Sequence, residues 1–257
     1  MNILLTNDDG INSEGIQKLA EALRSRGNHK VTVVAPDTNR SGISHGLSVF
    51  FNPVKLSAKG EDAWACSGTP ADCVIAALQG KFVLKPDLVI SGINRGVNLG
   101  TDIVYSGTAA AARQASFAGI PALALSLESK GDYHWDMAAS WSVDHLDELV
   151  AFWRKNTFVN VNIPNTAGGP EGIVATWPAM KKYNDKIELM EAPDGKIWCF
   201  LDIGPEFPAE EAGTDCDAVS RNFASVSTVY NFPVVLKDLC PGVPPYAAVA
   251  ERDPKHK

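Results

Sequence analysis

The chain has 257 residues, of which 45% are hydrophobic and 21% charged, and carries a formal net charge of −7. That is the balance of a globular protein long enough for one large α/β domain or two small ones. The acidic surplus excludes a general binder of large nucleic acids, which needs basic side chains against phosphate. The absence of any apolar run of about 18 residues excludes a membrane-spanning helix.

The first residues, Met-Asn-Ile-Leu-Leu-Thr-Asn-Asp-Asp-Gly, lack the basic leader and long apolar core of a signal peptide. Ile3 to Thr6 reads as a buried strand that delivers two carboxylates, Asp8 and Asp9, to the carboxyl edge of a sheet, where ligands of open α/β sheets bind. Ser13 caps an expected helix whose apolar face is Ile16, Leu19, Ala20 and Leu23, with Gly27 at its end. Val31 to Ala35 is a second strand, closed by Pro36. Thr69-Pro70 opens a helix with proline in its first turn. Leu88 to Ile90 is a third strand, followed by a glycine-rich loop from Ser91 to Gly100. A helix is expected from about Thr108 to Phe117, stopped by Gly119, and Ala122 to Leu125 is a fourth strand. The segment from Trp135 to Trp153 places Ala139, Val143, Leu146, Val150 and Trp153 along one helical face, and Phe158 to Val161 is a further strand. Beyond Asn165 the chain is richer in Pro, Gly and charge. Ile187–Met190 and Trp198–Leu201 read as a hairpin across Glu191-Ala192-Pro193-Asp194-Gly195. Continuous apolar strands alternating with amphipathic helices predict an α/β fold with a mostly parallel sheet covered on both faces. Its core would span residues 1–165, and residues 166–257 would complete it and serve oligomerisation.

The chemistry concentrates where strands end. Adjacent carboxylates repel, and a hard divalent cation such as Mg²⁺, Mn²⁺ or Ca²⁺ relieves them. The loop Asp37-Thr38-Asn39-Arg40-Ser41-Gly42 can return a hydroxyl and a guanidinium to the same edge. Asn94 and Asn98, set among glycines, offer amide oxygens to a cation and amide NH₂ groups to an anion. Tyr105-Ser106-Gly107-Thr108 precedes a helix, whose free N–H groups and hydroxyls suit an anion. A cation beside a phosphate-sized pocket suggests phosphoester hydrolysis. His45 follows the Arg40-Ser41 loop as a candidate proton donor. The other histidines fit a surface. The five cysteines, Cys66, Cys73, Cys199, Cys216 and Cys240, are odd in number and scattered, which fits reduced thiols in a cytoplasmic protein.

These motifs together, with Gly68-Thr69-Pro70-Ala71-Asp72-Cys73-Val74, Asn160-Val161-Asn162-Ile163-Pro164 and Gly213-Thr214-Asp215, resemble the SurE family in content and order. The resemblance covers most of the chain. It implies a Rossmann-like three-layer α/β/α fold and a C-terminal region that exchanges elements in homodimers or homotetramers. It implies one divalent cation per subunit (Mg, Mn, Ca or Co) on Asp8, Asp9, Ser41 and Asn94, and a phosphate beside Asn98, Ser106, Gly107 and Thr108. The activity implied is hydrolysis of nucleoside 5′- and 3′-monophosphates, and in some members of short polyphosphate. Asp8 and Asp9 would be catalytic, either as base for an attacking water or, for Asp8, as nucleophile. A nucleotide-binding module without turnover is the alternative. Two stretches depart from the family pattern. Ala109-Ala110-Ala111-Ala112-Arg113-Gln114 stands where a glutamate-containing stretch is usual, and Ser225-Val226-Ser227-Thr228-Val229-Tyr230-Asn231 replaces a Ser-x-Thr-Pro-Leu ending.

Overall fold

The computed structural model describes residues 1–26, 29–80, 85–181, 183–202 and 211–233. In chain order the elements are β1 Asn2–Thr6, α1 Glu14–Ser25, β2 Lys30–Pro36, β3 Leu56–Gly60, β4 Ala63–Cys66, α2 Pro70–Gln79, β5 Leu88–Arg95, α3 Asp102–Tyr105 and α4 Gly107–Phe117. They continue with β6 Ala122–Leu127, α5 Trp135–Asp144, α6 Leu146–Ala151, β7 Thr157–Ile163, β8 Ile173–Ala175, β9 Lys186–Glu191, β10 Ile197–Asp202, α7 Asp215–Ser220 and β11 Ala224–Tyr230.

One nine-stranded sheet runs β3-β4-β2-β1-β5-β6-β7-β11-β8. The strands from β4 to β7 pair in parallel. β3 is antiparallel to β4, and β11 is antiparallel to β7. Alternation along a strand sorts the core into two layers. Ile3 and Leu5 pack with Ile16, Leu19 and Leu23 of α1 and with Trp135, Ala138 and Leu149 beyond them. Leu4, Val34 and Val89 pack on the other face with Cys73 and Val74 of α2 and the alanines of α4. The alanine run that departs from the family pattern therefore has a packing reason. Ala109, Ala111, Ala112 and Ala115 are fully buried against that face, and small side chains let α4 lie close to the sheet. Helices thus cover both faces, as the apolar strand runs predicted, and the fold is a three-layer α/β/α sandwich of Rossmann-like type.

Several expectations are corrected. The helix over Trp135–Trp153 is two helices, because the backbone of His145 turns to φ −104°, ψ 12°; its ring nitrogen Nδ1 lies 2.9 Å from the Trp141 carbonyl. The third strand runs on to Arg95, so the first half of the expected glycine-rich loop is strand. Between Ser91 and Asn94 it carries one residue more than β6, its partner, a bulge that bends the strand and redirects its end. Gly92 permits it: its φ is +145°, and a Cβ there would sit 2.5 Å from the Leu125 carbonyl oxygen. The β3–β4 hairpin and the one-turn α3 carry too little periodicity to read from sequence. The Gly27 stop lies outside the described residues, and α1 ends at Ser25. The hairpin β9–β10 forms as expected, antiparallel and outside the main sheet.

Helix α2 opens with a capping box. Thr69 accepts from the Asp72 amide at 3.1 Å, and the Asp72 carboxylate accepts from the Thr69 amide at 3.0 Å. The same carboxylate accepts from the Ser48 amide and hydroxyl and from the Val49 amide, which ties the loop after His45 to the helix. Burial acts to raise the Asp72 pKa, but these hydrogen bonds outweigh it and hold the group below the usual carboxylate value. A carboxylate whose folded pKa is depressed stabilises above its unfolded pKa, near 4, and loses that contribution as pH falls through its folded value. Asp72→Ala is therefore expected to cost about 1–3 kcal/mol at pH 7. The gap to wild type should shrink as the pH is lowered below about 4. Urea unfolding of both proteins at pH 7 and pH 3.5 checks this; equal midpoints at pH 7 would remove Asp72 as an anchor.

Candidate active site

The sheet's strand order reverses at β1: the chain passes from β1 out to β2, then returns to place β5 on the other side. Such a switch point leaves a crevice at the carboxyl ends of the strands. A cavity of about 550 Å³ opens here, and Asp8, Ser41, Asn94, Asn98 and Ser106 stand together on its wall. Each arrives from a different carboxyl-edge segment, after β1, after β2, at the end of β5, in the loop beyond it, and at the start of α4.

Asp8 is nearly buried, at 3% exposure. Its backbone carbonyl accepts from the Arg40 amide at 2.7 Å, which holds the second loop against the first. Its carboxylate accepts the Thr108 hydroxyl. Burial pushes the Asp8 pKa up to about 6, the Thr108 hydrogen bond opposing and the neighbouring Asp9 charge adding to the rise. Asp9 is raised too, by burial, against the Arg95 amide that donates to it at 3.0 Å. It lines an adjoining cleft with Asn39 and Arg95, and Arg95 also lines the main cavity. Asn7, fully buried, sets the turn that presents both carboxylates: its amide donates to the Gly10 carbonyl and the Ser13 hydroxyl, and its oxygen accepts from the Gly10 amide.

Around this pair the neutral donors are oriented by their own partners. Ser41 donates its proton to the Asn39 side-chain oxygen at 2.7 Å, which leaves its lone pairs for a ligand. Asn94 donates to the Gly96 carbonyl at 2.8 Å, and among the described residues its amide oxygen receives no hydrogen bond. The bulge in β5 is what brings Asn94 to this point. Ser106 caps α4 by accepting from the Ala109 amide at 3.0 Å, which leaves its proton to donate. Asn98 is gripped through its backbone: its amide donates to Asn162, and its carbonyl accepts from Asn160 and Asn162. Asp215, far along the chain, accepts from the Gly100 and Ala179 amides and so fixes the glycine loop against the segment that closes the cavity.

Gly107 and Thr108, expected beside a phosphate, both serve Asp8. A Cβ at Gly107 would lie 2.8 Å from the Asp8 Cβ. Thr108 is fully buried and spends its hydroxyl on the Asp8 carboxylate. The Arg40 guanidinium turns away, to the Ser67 carbonyl and Asp37. His45 pairs with Gln114 at 3.0 Å beside Phe117 and is absent from the cavity wall; burial lowers its pKa. Sequence reasoning missed Asp102, Tyr183 and Leu201, which also line the cavity, and Lys181, which pairs with Asp102. No local motif signals them, since they come together across about 80–100 residues of chain.

The donor set fits a hard cation. It consists of two carboxylates, a hydroxyl and an amide oxygen, without sulfur or imidazole. Among the described residues no cluster of three His, Cys, Asp or Glu side chains forms, so Asp8 and Asp9 would be the charged ligands, with the hydroxyl and amide oxygens completing the set. Burial pushes both toward protonation, and a bound cation would favour their ionised forms.

Fold and site together define a doubly wound α/β protein with an oxygen-donor pocket at its switch point. The family model described as "Survival protein SurE" matches residues 3–185. The protein called 5′-nucleotidase SurE in Thermosynechococcus vestitus is 38% identical over 239 residues, covering 88% of this chain and 89% of that one. Its counterpart in Syntrophotalea carbinolica is 40% identical over 239 residues, covering 90% and 91%. The crystal structure of the SurE protein from Aquifex aeolicus superposes with a TM-score of 0.80 at 36% identity, covering 93% of this chain and 97% of that one. The chain belongs to the SurE family.

Proposed function

We propose that the chain is a divalent-metal-dependent phosphomonoesterase that hydrolyses nucleoside 5′-monophosphates, with 3′-nucleotides and short polyphosphate as further substrates, in the cytoplasm. The observation that carries this reading is the convergence of Asp8, Ser41, Asn94, Asn98 and Ser106 on one cavity at the switch point, in a chain whose relatives are named 5′-nucleotidases. Asp8, Asp9, Ser41 and Asn94 would hold the cation. When bound, it polarises the phosphoryl oxygen and makes water a better nucleophile. The Ser106 hydroxyl, the Gly107 amide and the second N–H of the Asn98 side-chain amide, whose first donates to Ser126 at 2.8 Å, would donate to the phosphate oxygens, aided by the helix dipole. Asp8 would assist as base toward the attacking water, and Thr108 fixes which way its carboxylate points.

Ile187, Leu189, Trp198 and Phe200 of the β9–β10 hairpin are each at least half exposed. A projecting arm of that composition fits a second copy of the chain, in a homodimer or homotetramer, which the mass in solution reads out. Among the described residues no helix is long and apolar enough to cross a membrane.

Phosphate release from a panel of nucleoside monophosphates tests the activity. The expected result is release that Mn²⁺ or Mg²⁺ supports, that chelation abolishes and that added metal restores. Tight nucleotide binding by folded protein, without phosphate release under any metal, would leave a binding module instead.

A further inference from the structure

Charge on the cavity wall is lopsided. Among the described residues, Asp8, Asp102 and Asp185 line it with carboxylates, and Arg95 lines it with a guanidinium. Asp102 is matched by Lys181 at 2.7 Å. A divalent cation would match Asp8 and Asp9 in turn. A phosphomonoester then brings up to two negative charges at neutral pH, since its second pKa lies near about 6. The cation on the wall left to meet them is Arg95.

Arg95 sits where the two clefts join, lining both the main cavity and the cleft that holds Asp9. It is the last residue of β5, and its backbone amide donates to Asp9 Oδ2 at 3.0 Å. The root of the side chain is thereby fixed beside the cation site. Its far end is held much less firmly. The guanidinium lies over the Tyr133 ring, 4.9 Å from its centroid. Glu14 is 3.9 Å away, too far for a hydrogen bond. The Arg95 side chain is 58% exposed. The Tyr133 ring itself is braced. It stacks on Trp135 with centroids 4.9 Å apart and planes at 8°, and its hydroxyl donates to Ser129 at 2.8 Å. An exposed cation–π contact is weak, whereas a guanidinium grips phosphate through two parallel charge-assisted hydrogen bonds. The ring is therefore a resting place from which a stronger partner draws the guanidinium away.

We propose that Arg95 is a further catalytic residue: on substrate binding its guanidinium leaves Tyr133 and donates to the non-bridging phosphoryl oxygens. This rests on the phosphomonoesterase reading. Those oxygens carry negative charge through the transition state, so a guanidinium held on them lowers the barrier and not only the dissociation constant. Arginine suits the role better than lysine because its planar fork spans two oxygens.

Calorimetric binding of inorganic phosphate to the Mn²⁺-saturated protein tests this without turnover. Arg95→Ala should weaken phosphate binding about ten- to hundredfold, the usual worth of hydrogen bonds to a charged group. Arg95→Lys should lose part of that, keeping the charge but not the fork. Mn²⁺ affinity should hold or rise in Arg95→Ala, because a like charge has gone from beside the cation. Tyr133→Leu carries the opposite sign: phosphate binding should tighten about two- to fivefold, since the competing contact is removed. In turnover, Arg95→Ala should lower kcat at least as much as it raises KM. Unchanged phosphate affinity in Arg95→Ala, or a loss that weaker Mn²⁺ binding accounts for, overturns the assignment. Weaker phosphate binding by folded Tyr133→Leu overturns the resting place. Phosphate release that Arg95→Ala leaves untouched rejects Arg95 and keeps the phosphatase reading. Phosphate binding that depends on Arg95, without release from any monoester, supports Arg95 as a phosphate ligand and rejects the phosphatase reading.

Discussion

Asp8→Asn is expected to lower phosphate release by about a thousandfold or more and to leave the metal-free protein as stable as wild type or more so. The activity loss follows from the place of Asp8. It stands on the cavity wall beside the donors for cation and phosphate, and losing a group that moves a proton costs about 10²–10⁴ in rate. Loss of a cation ligand adds to that. The stability expectation follows from linkage. Burial raises the Asp8 pKa from 3.8 to about 6, so the ionised form is penalised in the folded state at every pH above its unfolded pKa. Asparagine keeps the shape, removes the charge and can still accept from Thr108. Function and stability therefore pull in opposite directions at this residue, as when a buried charge is kept for its chemistry. Phosphate release under saturating Mn²⁺ and thermal unfolding in chelator, both at pH 7, measure the two halves. Activity within tenfold of wild type would take Asp8 out of the chemistry.

Gly107→Ala is expected to cut kcat about a hundredfold and to lower stability by about 1–3 kcal/mol. The added methyl would meet the Asp8 Cβ at 2.8 Å, Asp8 Oδ2 at 2.9 Å and Pro70 Cγ at 3.1 Å. Such contacts are too short to persist, so Asp8 or the first turn of α4 must shift. A displacement near 1 Å at a reacting group costs about 10²-fold. Alanine is the better helix former, so the backbone has no reason of its own to object. The overpacked contact itself costs about 1–3 kcal/mol of stability, so kcat is measured on variant protein shown to be folded. A variant with more than a third of wild-type kcat would mean that the close approach of Gly107 to Asp8 has no catalytic consequence.

Much of this arrangement is legible in the chain, for identifiable reasons. Ile3–Thr6 and Leu88–Ile90 are buried on both faces, so their apolar runs are unbroken, and the acids and amides that follow them fall at the carboxyl edge by construction. Thr69-Pro70 and Ser106 announce helix starts because capping is local chemistry. The β3–β4 hairpin was not legible, since four residues such as Ala63–Cys66 carry no usable period, and a bulge such as that at Gly92 has no signature beyond the glycine itself. The Thr108–Asp8 hydrogen bond is not legible, because a hydroxyl in the first turn of a helix can face either an anion or a neighbour. Only the fold shows that Asp8 is that neighbour. Lys181, Tyr183 and Asp215 could not be placed by any local pattern, because their partners Asp102 and Gly100 lie about 80–115 residues earlier.

That last tether has a consequence for the order in which the protein assembles. Lys181 and Asp215 lie late in the chain, so the contacts they make with Asp102 and the Gly100 loop cannot form until those residues have been made. The β1–β7 framework can be in place while the Gly100 loop still waits for Asp215, and Asp102 waits for Lys181. The pocket is therefore completed only once the C-terminal third of the chain is present. A nascent protein still lacking residues beyond about Thr214 would hold both acidic residues at their strand end yet grip ligand poorly. Ligand affinity, rather than secondary structure, is the signal that marks completion of folding.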